Sequence, residues 1–180
     1  MRAERALNAT AASLLGFLHD GPMSGYDLST TAQRVIGDFW SITQSQVYRE
    51  LAWMAADGLV EAGDRGARER RPYVVTEAGR QAFARWIDRP PAGEAIRHPL
   101  LLTLSFGRHV PPDRLSAFIR QHREAHAERL RSYEAEASGQ GLDAAVPADH
   151  FRAATLEFGL AYERAVQDWF ARLPGILGDR

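Results

Sequence analysis

The chain has 180 residues, 45% hydrophobic and 25% charged. That suits one domain with an appendage or two small domains, and it leaves enough apolar material for a core, against disorder. There is no cysteine and no apolar run approaching a membrane span, which argues against disulfides, thiol chemistry and a membrane partner. With 22 basic and 23 acidic residues the net charge is −1, so no global positive field advertises nucleic acid, although a few arginines on one edge suffice to neutralise phosphates.

The N-terminal stretch "MRAERALNATAASLLGFLHDGP" breaks its apolar run too early for an export signal, and a cytoplasmic protein is expected. Its helical period (Ala11, Leu14, Leu15, Leu18) ends in the turn residues Asp20 to Pro22. Ser24 can cap a second helix with apolar Tyr26, Leu28, Ala32, Val35 and Ile36, stopped by Gly37. The stretch "DFWSI", residues 38–42, reads as a short extended segment able to add a minor strand.

A third helix follows in "ITQSQVYRELAWMAADGLVE". Thr43 and Gln46 form a capping-box pattern, in which the hydroxyl accepts from the Gln46 amide and the Gln46 side chain reaches back. Val47, Leu51, Met54 and Ala55 share one face, with Ser45, Arg49, Ala52 and Ala56 opposite and Tyr48 beside the apolar stripe. Gly58 is placed to end the helix in the left-handed conformation. Trp53 points outward and is expected to pack against another helix or subunit.

"LVEA" then starts a strand, and a loop carrying Arg65, Arg68, Arg70 and Arg71 leads to a second strand at Tyr73 to Val75. Thr76 or Glu77 opens a helix with Ala78, Phe83, Trp86 and Ile87 available for burial. Three helices and a hairpin with a basic tip are the order of a winged helix-turn-helix. A recognition helix must bring side chains to base edges and phosphates in a groove about 12 Å wide. Thr43, Gln44, Ser45, Gln46, Tyr48 and Arg49 supply such groups, and the loop arginines can track the backbone of double-stranded DNA or enter its minor groove. The structural roles that compete with this reading are capping for Thr43 and Gln46, packing for Tyr48 and plain solvation for the loop.

"LLGFLHDGPMSGYDL", "ITQSQVYRELAWMAADGLV" and "YVVTEAGRQAF" resemble, in this order, the three signature stretches of the PadR family of transcriptional regulators. The resemblance covers residues 10 to 87. It implies a homodimeric winged-helix repressor whose long C-terminal helices make much of the dimer interface, and whose operator affinity falls when a small aromatic or drug-like molecule binds. Members commonly carry Pro and Gly where this chain has Gln44 and Ser45.

The second half opens at "DRPPAGEAIRHP", a Pro- and Gly-rich linker. A short helix from Leu100 to Phe106 follows, then one from Pro112 to about Ala137 striped by Leu115, Phe118, Ile119, His122, Ala125, His126, Leu130 and Tyr133. A last helix, from about Ala148 to Leu173, carries Phe151, Thr155, Phe158, Tyr162, Val166, Trp169 and Leu173 on one face. Two such helices form an antiparallel hairpin whose stripes suit a partner surface. The expected fold is mainly α with a small β-hairpin wing: a winged helix-turn-helix DNA-binding domain over residues 1–89 and an antiparallel helical dimerisation domain over 90–180. Phe106, Phe118, His122, Phe158, Tyr162 and Trp169 combine aromatic faces with a few polar tips and form a candidate pocket for a planar, apolar effector.

An enzyme reading finds little. His122 and His126 at i, i+4 could make half a metal site, but "HREAH" lacks the zinc-protease order and a third ligand is not evident. There is no Gly-rich phosphate loop, nucleophile elbow or acid pair, so neither catalysis nor a cofactor is expected. The alternatives to a ligand-responsive repressor are a winged-helix protein-interaction module without DNA binding and, behind it, a metal-dependent enzyme.

Overall fold

The computed structural model describes residues 5–37, 39–64, 71–94, 96–139 and 147–178. It falls into two compact units, one ending at Gly93 and the other starting at Glu94.

In the first unit, α1 (Ala9–Leu18) begins at Asn8, whose side chain accepts the Ala11 amide at 2.8 Å. Its Ala11, Leu14, Leu15 and Leu18 are fully or almost fully buried, as their spacing predicts. Strand β1 (Met23–Ser24) leads into α2 (Gly25–Val35), capped by Ser24 and Asp27 acting reciprocally. Then come α3 (Gln44–Ala56), β2 (Val60–Ala62), β3 (Pro72–Val75) and α4 (Glu77–Ile87). Leu14, Leu15, Leu18 and Leu28 meet Val47, Leu51 and Met54 in one core closed by Val60 and Val75. The capping box at Thr43 and Gln46 is formed, with the Thr43 amide donating to Gln46 Oε1 at 2.8 Å. Gly58 has φ +71, the left-handed conformation required of the residue that turns α3 into β2.

Three expectations need correction here. The third strand is Met23–Ser24, paired antiparallel with β3 (Met23 with Tyr73, Ser24 with Pro72), so the sheet order is β1-β3-β2. A helix N-cap takes extended dihedrals, so the residues entering α2 are already strand-like and find the open edge of β3. Phe39 and Trp40 instead send their amides back to the Ile36 carbonyl, which makes a turn and not a strand. On α3 the buried face includes Glu50 and leaves Ala55 exposed. Tyr26, Val35, Ala78 and Ile87 are also exposed, because these short helices bury narrower stripes than their apolar content suggested.

In the second unit, α5 (Pro99–Ser105) and a single 3-10 turn (Gly107–His109) precede α6 (Pro112–Gly139) and α7 (Pro147–Leu177). The cross-contacts Glu136 to Arg152, Arg129 to Glu163 and Arg123 to Gln167 run in opposite chain order, so the two helices are antiparallel. Of the stripe expected on α7, only Leu173 is buried; Val166 and Trp169 are half-buried, Thr155 and Tyr162 are exposed, and the buried line runs through other residues. Leu156, Leu160, Glu163 and Phe170 are buried, whereas Phe151 and Phe158 are 78% and 68% exposed. Gly159 explains the phase: a Cβ there would stand 2.8 Å from Cε2 of Tyr133, so the glycine side of α7 is the one pressed on α6. Among the described residues no helix is long and apolar enough to cross a membrane.

Candidate nucleic-acid interface and aromatic groove

The front of α3 is built in two layers. Behind it, Val47, Leu51 and Met54 are fully buried and hold the helix on α1 and α2. In front, Thr43, Gln44, Ser45, Tyr48 and Arg49 are exposed and Gln46 is half-buried. Thr43 is occupied twice over: its hydroxyl lies 3.0 Å from Ser45 Oγ and 3.0 Å from Gln46 Oε1. Thr43 and Gln46 thus shape the helix start, and Gln44, Ser45 and Arg49 extend from it. Tyr48 takes the packing role and still reaches solvent. Its ring covers Gly25 so closely that a Cβ there would stand 2.5 Å from Cε1, yet 45% of the residue is exposed. Of the hairpin arginines, Arg65, Arg68 and Arg70 lie outside the described residues; Arg71 is exposed and its Nε donates to the Gly63 carbonyl at 3.2 Å, tying the two strands of the hairpin.

Two residues that brace α3 were missed by sequence reasoning. Glu50 is 1% exposed, and Arg5 grips it through Nη2, 2.7 Å from Oε2 and 2.9 Å from Oε1. The same guanidinium lies 4.4 Å from the centre of the Trp53 ring, so Trp53 packs within its own unit. An acidic residue inside a helical apolar stripe was a usable signal, but its partner 45 positions away was not legible.

In the second unit a groove of about 310 Å³ opens between α5, α6 and α7. Its walls are Leu100, Val166, Trp169 and Phe170, with His98, His122, His126 and Tyr162 as polar edges. Of the six residues expected in a pocket, His122, Tyr162 and Trp169 line it. Phe118 packs instead into the cluster of Leu100, Phe170 and Leu173, Phe106 is exposed at the end of α5, and Phe158 stacks on Tyr162 at 6.4 Å from outside the groove. Beneath the groove the buried Glu163 carboxylate accepts from Arg129 Nε at 2.8 Å and lies 2.6 Å from His126 Nδ1, which is itself 2.7 Å from Arg129 Nη2. That nitrogen sits between an obligate acceptor and an obligate donor, so the ring is held in either tautomer. Burial raises the Tyr162 pKa above its ordinary value, as does the Glu163 charge, against a smaller opposing effect of Arg129. The phenol therefore remains a hydrogen-bond donor at neutral pH.

Three helices, a capped and outward-facing third helix and an antiparallel hairpin after it define a winged helix-turn-helix protein. The sequence profile of the transcriptional regulator PadR-like family matches residues 14–85, and that of the virulence activator alpha C-terminal region matches residues 96–177. The negative transcriptional regulator PadR of Bacillus subtilis is 31% identical over 98 residues, 52% of this chain and 54% of that protein. The alignable stretch thus spans about half the length of that relative. The crystal structure of Bacillus subtilis PadR in complex with operator DNA superposes with a TM-score of 0.79 at 22% identity, over 95% of this chain and 100% of that one. The structure of the same regulator with p-coumaric acid gives 0.73 at 21%, over 94% and 98%. Residues 14–85 place the first unit in the PadR-like family of transcriptional regulators, a family of regulators and not of enzymes.

Proposed function

We propose that this protein is a homodimeric repressor that sets α3 of each protomer into the major groove of an inverted-repeat operator and is released by a planar, apolar ligand. The observation that carries the reading is the construction of α3: its rear is locked into the core, while Gln44, Ser45, Tyr48 and Arg49 stand exposed on its first two turns, behind a capped start. A helix held in this way can present side chains to base edges, and its leading amides to a phosphate, without reorganising. The name of the Bacillus relative, a negative regulator, and the operator DNA in its crystal structure support the same reading. For the dimer, the support is the outer seam of α7, where Phe151, Phe158 and Tyr162 recur at coiled-coil spacing and are exposed in the single chain.

Selecting bound sites from random duplexes tests it. A two-fold dimer presents two equivalent helices, so the recovered sites should be inverted repeats with half-site centres about one helical turn apart, ~34–36 Å, or a multiple of that. Recovery of a single asymmetric site, or of nothing, would overturn the reading.

The effector half rests on the groove bounded by Leu100, Val166, Trp169 and Phe170 and is supported by the p-coumaric acid bound to the Bacillus protein. Release of DNA requires the ligand to bind the DNA-incompatible arrangement more tightly than the compatible one. Aromatic compounds that quench tryptophan fluorescence should lower operator affinity, and filling the groove by Val166→Trp should abolish both responses. Saturating ligand that leaves operator affinity unchanged would sink this half alone.

A further inference from the structure

Glu50 is a buried carboxylate on the helix proposed to read DNA, and two cations compete for it. Arg5, from the segment before α1, holds both oxygens at 2.7 and 2.9 Å and lies over Trp53, so Glu50 and Trp53, three residues apart on α3, form a socket for its guanidinium. Arg49, the neighbour of Glu50 in sequence, has its Nη2 3.5 Å from Oε1, at the limit of a hydrogen bond, and most of its side chain is in solvent.

We infer that Arg5 is a positioning residue for DNA binding: by satisfying Glu50 it leaves the Arg49 guanidinium available for a phosphate. This rests on the reading of Arg49 as a DNA contact. A carboxylate buried without a cation is strongly unfavourable and recruits whatever positive charge is in reach. With Arg5 removed, that charge is Arg49, whose long side chain has only to close the last few tenths of an ångström. A guanidinium neutralised by Glu50 no longer displaces counterions from DNA. Arg5 thus acts on DNA affinity through the buried Glu50, without touching DNA.

The test is the salt dependence of binding to a mixed-sequence duplex, since phosphate contacts are independent of sequence and each contributes about 0.9 to the slope of log K against log salt. Arg49→Ala should make the slope shallower by about that amount per protomer. Arg5→Ala should match it although Arg49 is intact, and Arg5→Ala with Glu50→Gln should return the slope to the wild-type value, because an amide needs no cation. Thermal melting of each variant identifies loss of folding. If Arg5→Ala is too unstable to measure, Glu50→Gln with and without Arg5→Ala must give equal, wild-type slopes. A wild-type slope in folded Arg5→Ala, or a double variant that keeps the loss, overturns the inference even if stability falls. If Arg49→Ala leaves the slope unchanged, the assignment of Arg49 to DNA fails and the role of Arg5 fails with it. If Arg49→Ala lowers the slope and Arg5→Ala does not, only the role of Arg5 fails.

Discussion

Replacing Arg49, Arg68 and Arg70 together by Ala is expected to reduce operator binding to the non-specific range, a Kd of about 10⁻⁴–10⁻⁶ M at physiological salt. Arg49 stands exposed on the first turns of α3, and the sequence places Arg68 and Arg70 between β2 and β3. Each protomer would lose three cations, and a dimer twice that. At roughly 0.9 per phosphate contact, the slope of log K against log salt should become shallower by about 5. The Arg49 side chain lies mostly in solvent, and the triple variant is expected to melt close to the wild type. Titration of labelled operator at several salt concentrations measures both quantities. A winged-helix module working only through protein contacts would tolerate the triple substitution, and an unchanged slope would favour it over the repressor.

Leu51→Ala should give the largest loss of stability among single changes in the first unit, about 2–5 kcal/mol. Leu51 is fully buried in the middle of α3, among side chains from α1 and α2. Its truncation removes apolar burial and opens a cavity that a close-packed core fills only in part. The exposed face of α3 is untouched, but the helix loses the anchor that fixes its angle. Operator affinity should therefore fall at temperatures where the domain is still folded. Chemical denaturation followed by helical signal gives the first quantity and operator titration the second. A loss below about 1 kcal/mol would mean that the site collapses without a cavity and that the core does not fix the helix.

The features legible in the sequence were those written in local chemistry. A hydroxyl three residues before Gln46 announced the start of α3, and Gly58 its end, because capping and left-handed turns depend on neighbours only a few positions apart. The helix order and the hairpin followed from the same signals, and so did the winged architecture, but the strand at Met23–Ser24 did not. Apolar periodicity proved weaker. It indicates that a helix has a buried stripe but does not fix its centre, since a residue at the edge of the stripe can fall on either side of the boundary.

The structure settled those edges. On α3 it chose Glu50 over Ala55, because Arg5 reaches Glu50 from far along the chain and an ion pair can enter where a lone carboxylate cannot. On α7 the close fit of Tyr133 against Gly159 turned Leu156, Leu160 and Glu163 inward and left Phe151 and Phe158 outside. The aromatic content of the second unit was evident from composition and spacing alone. Its division into core, groove and open seam was not, since that depends on which side of each helix another helix covers, and residues 34 and 37 positions apart, Arg129 and His126 with Glu163, hold that arrangement in place.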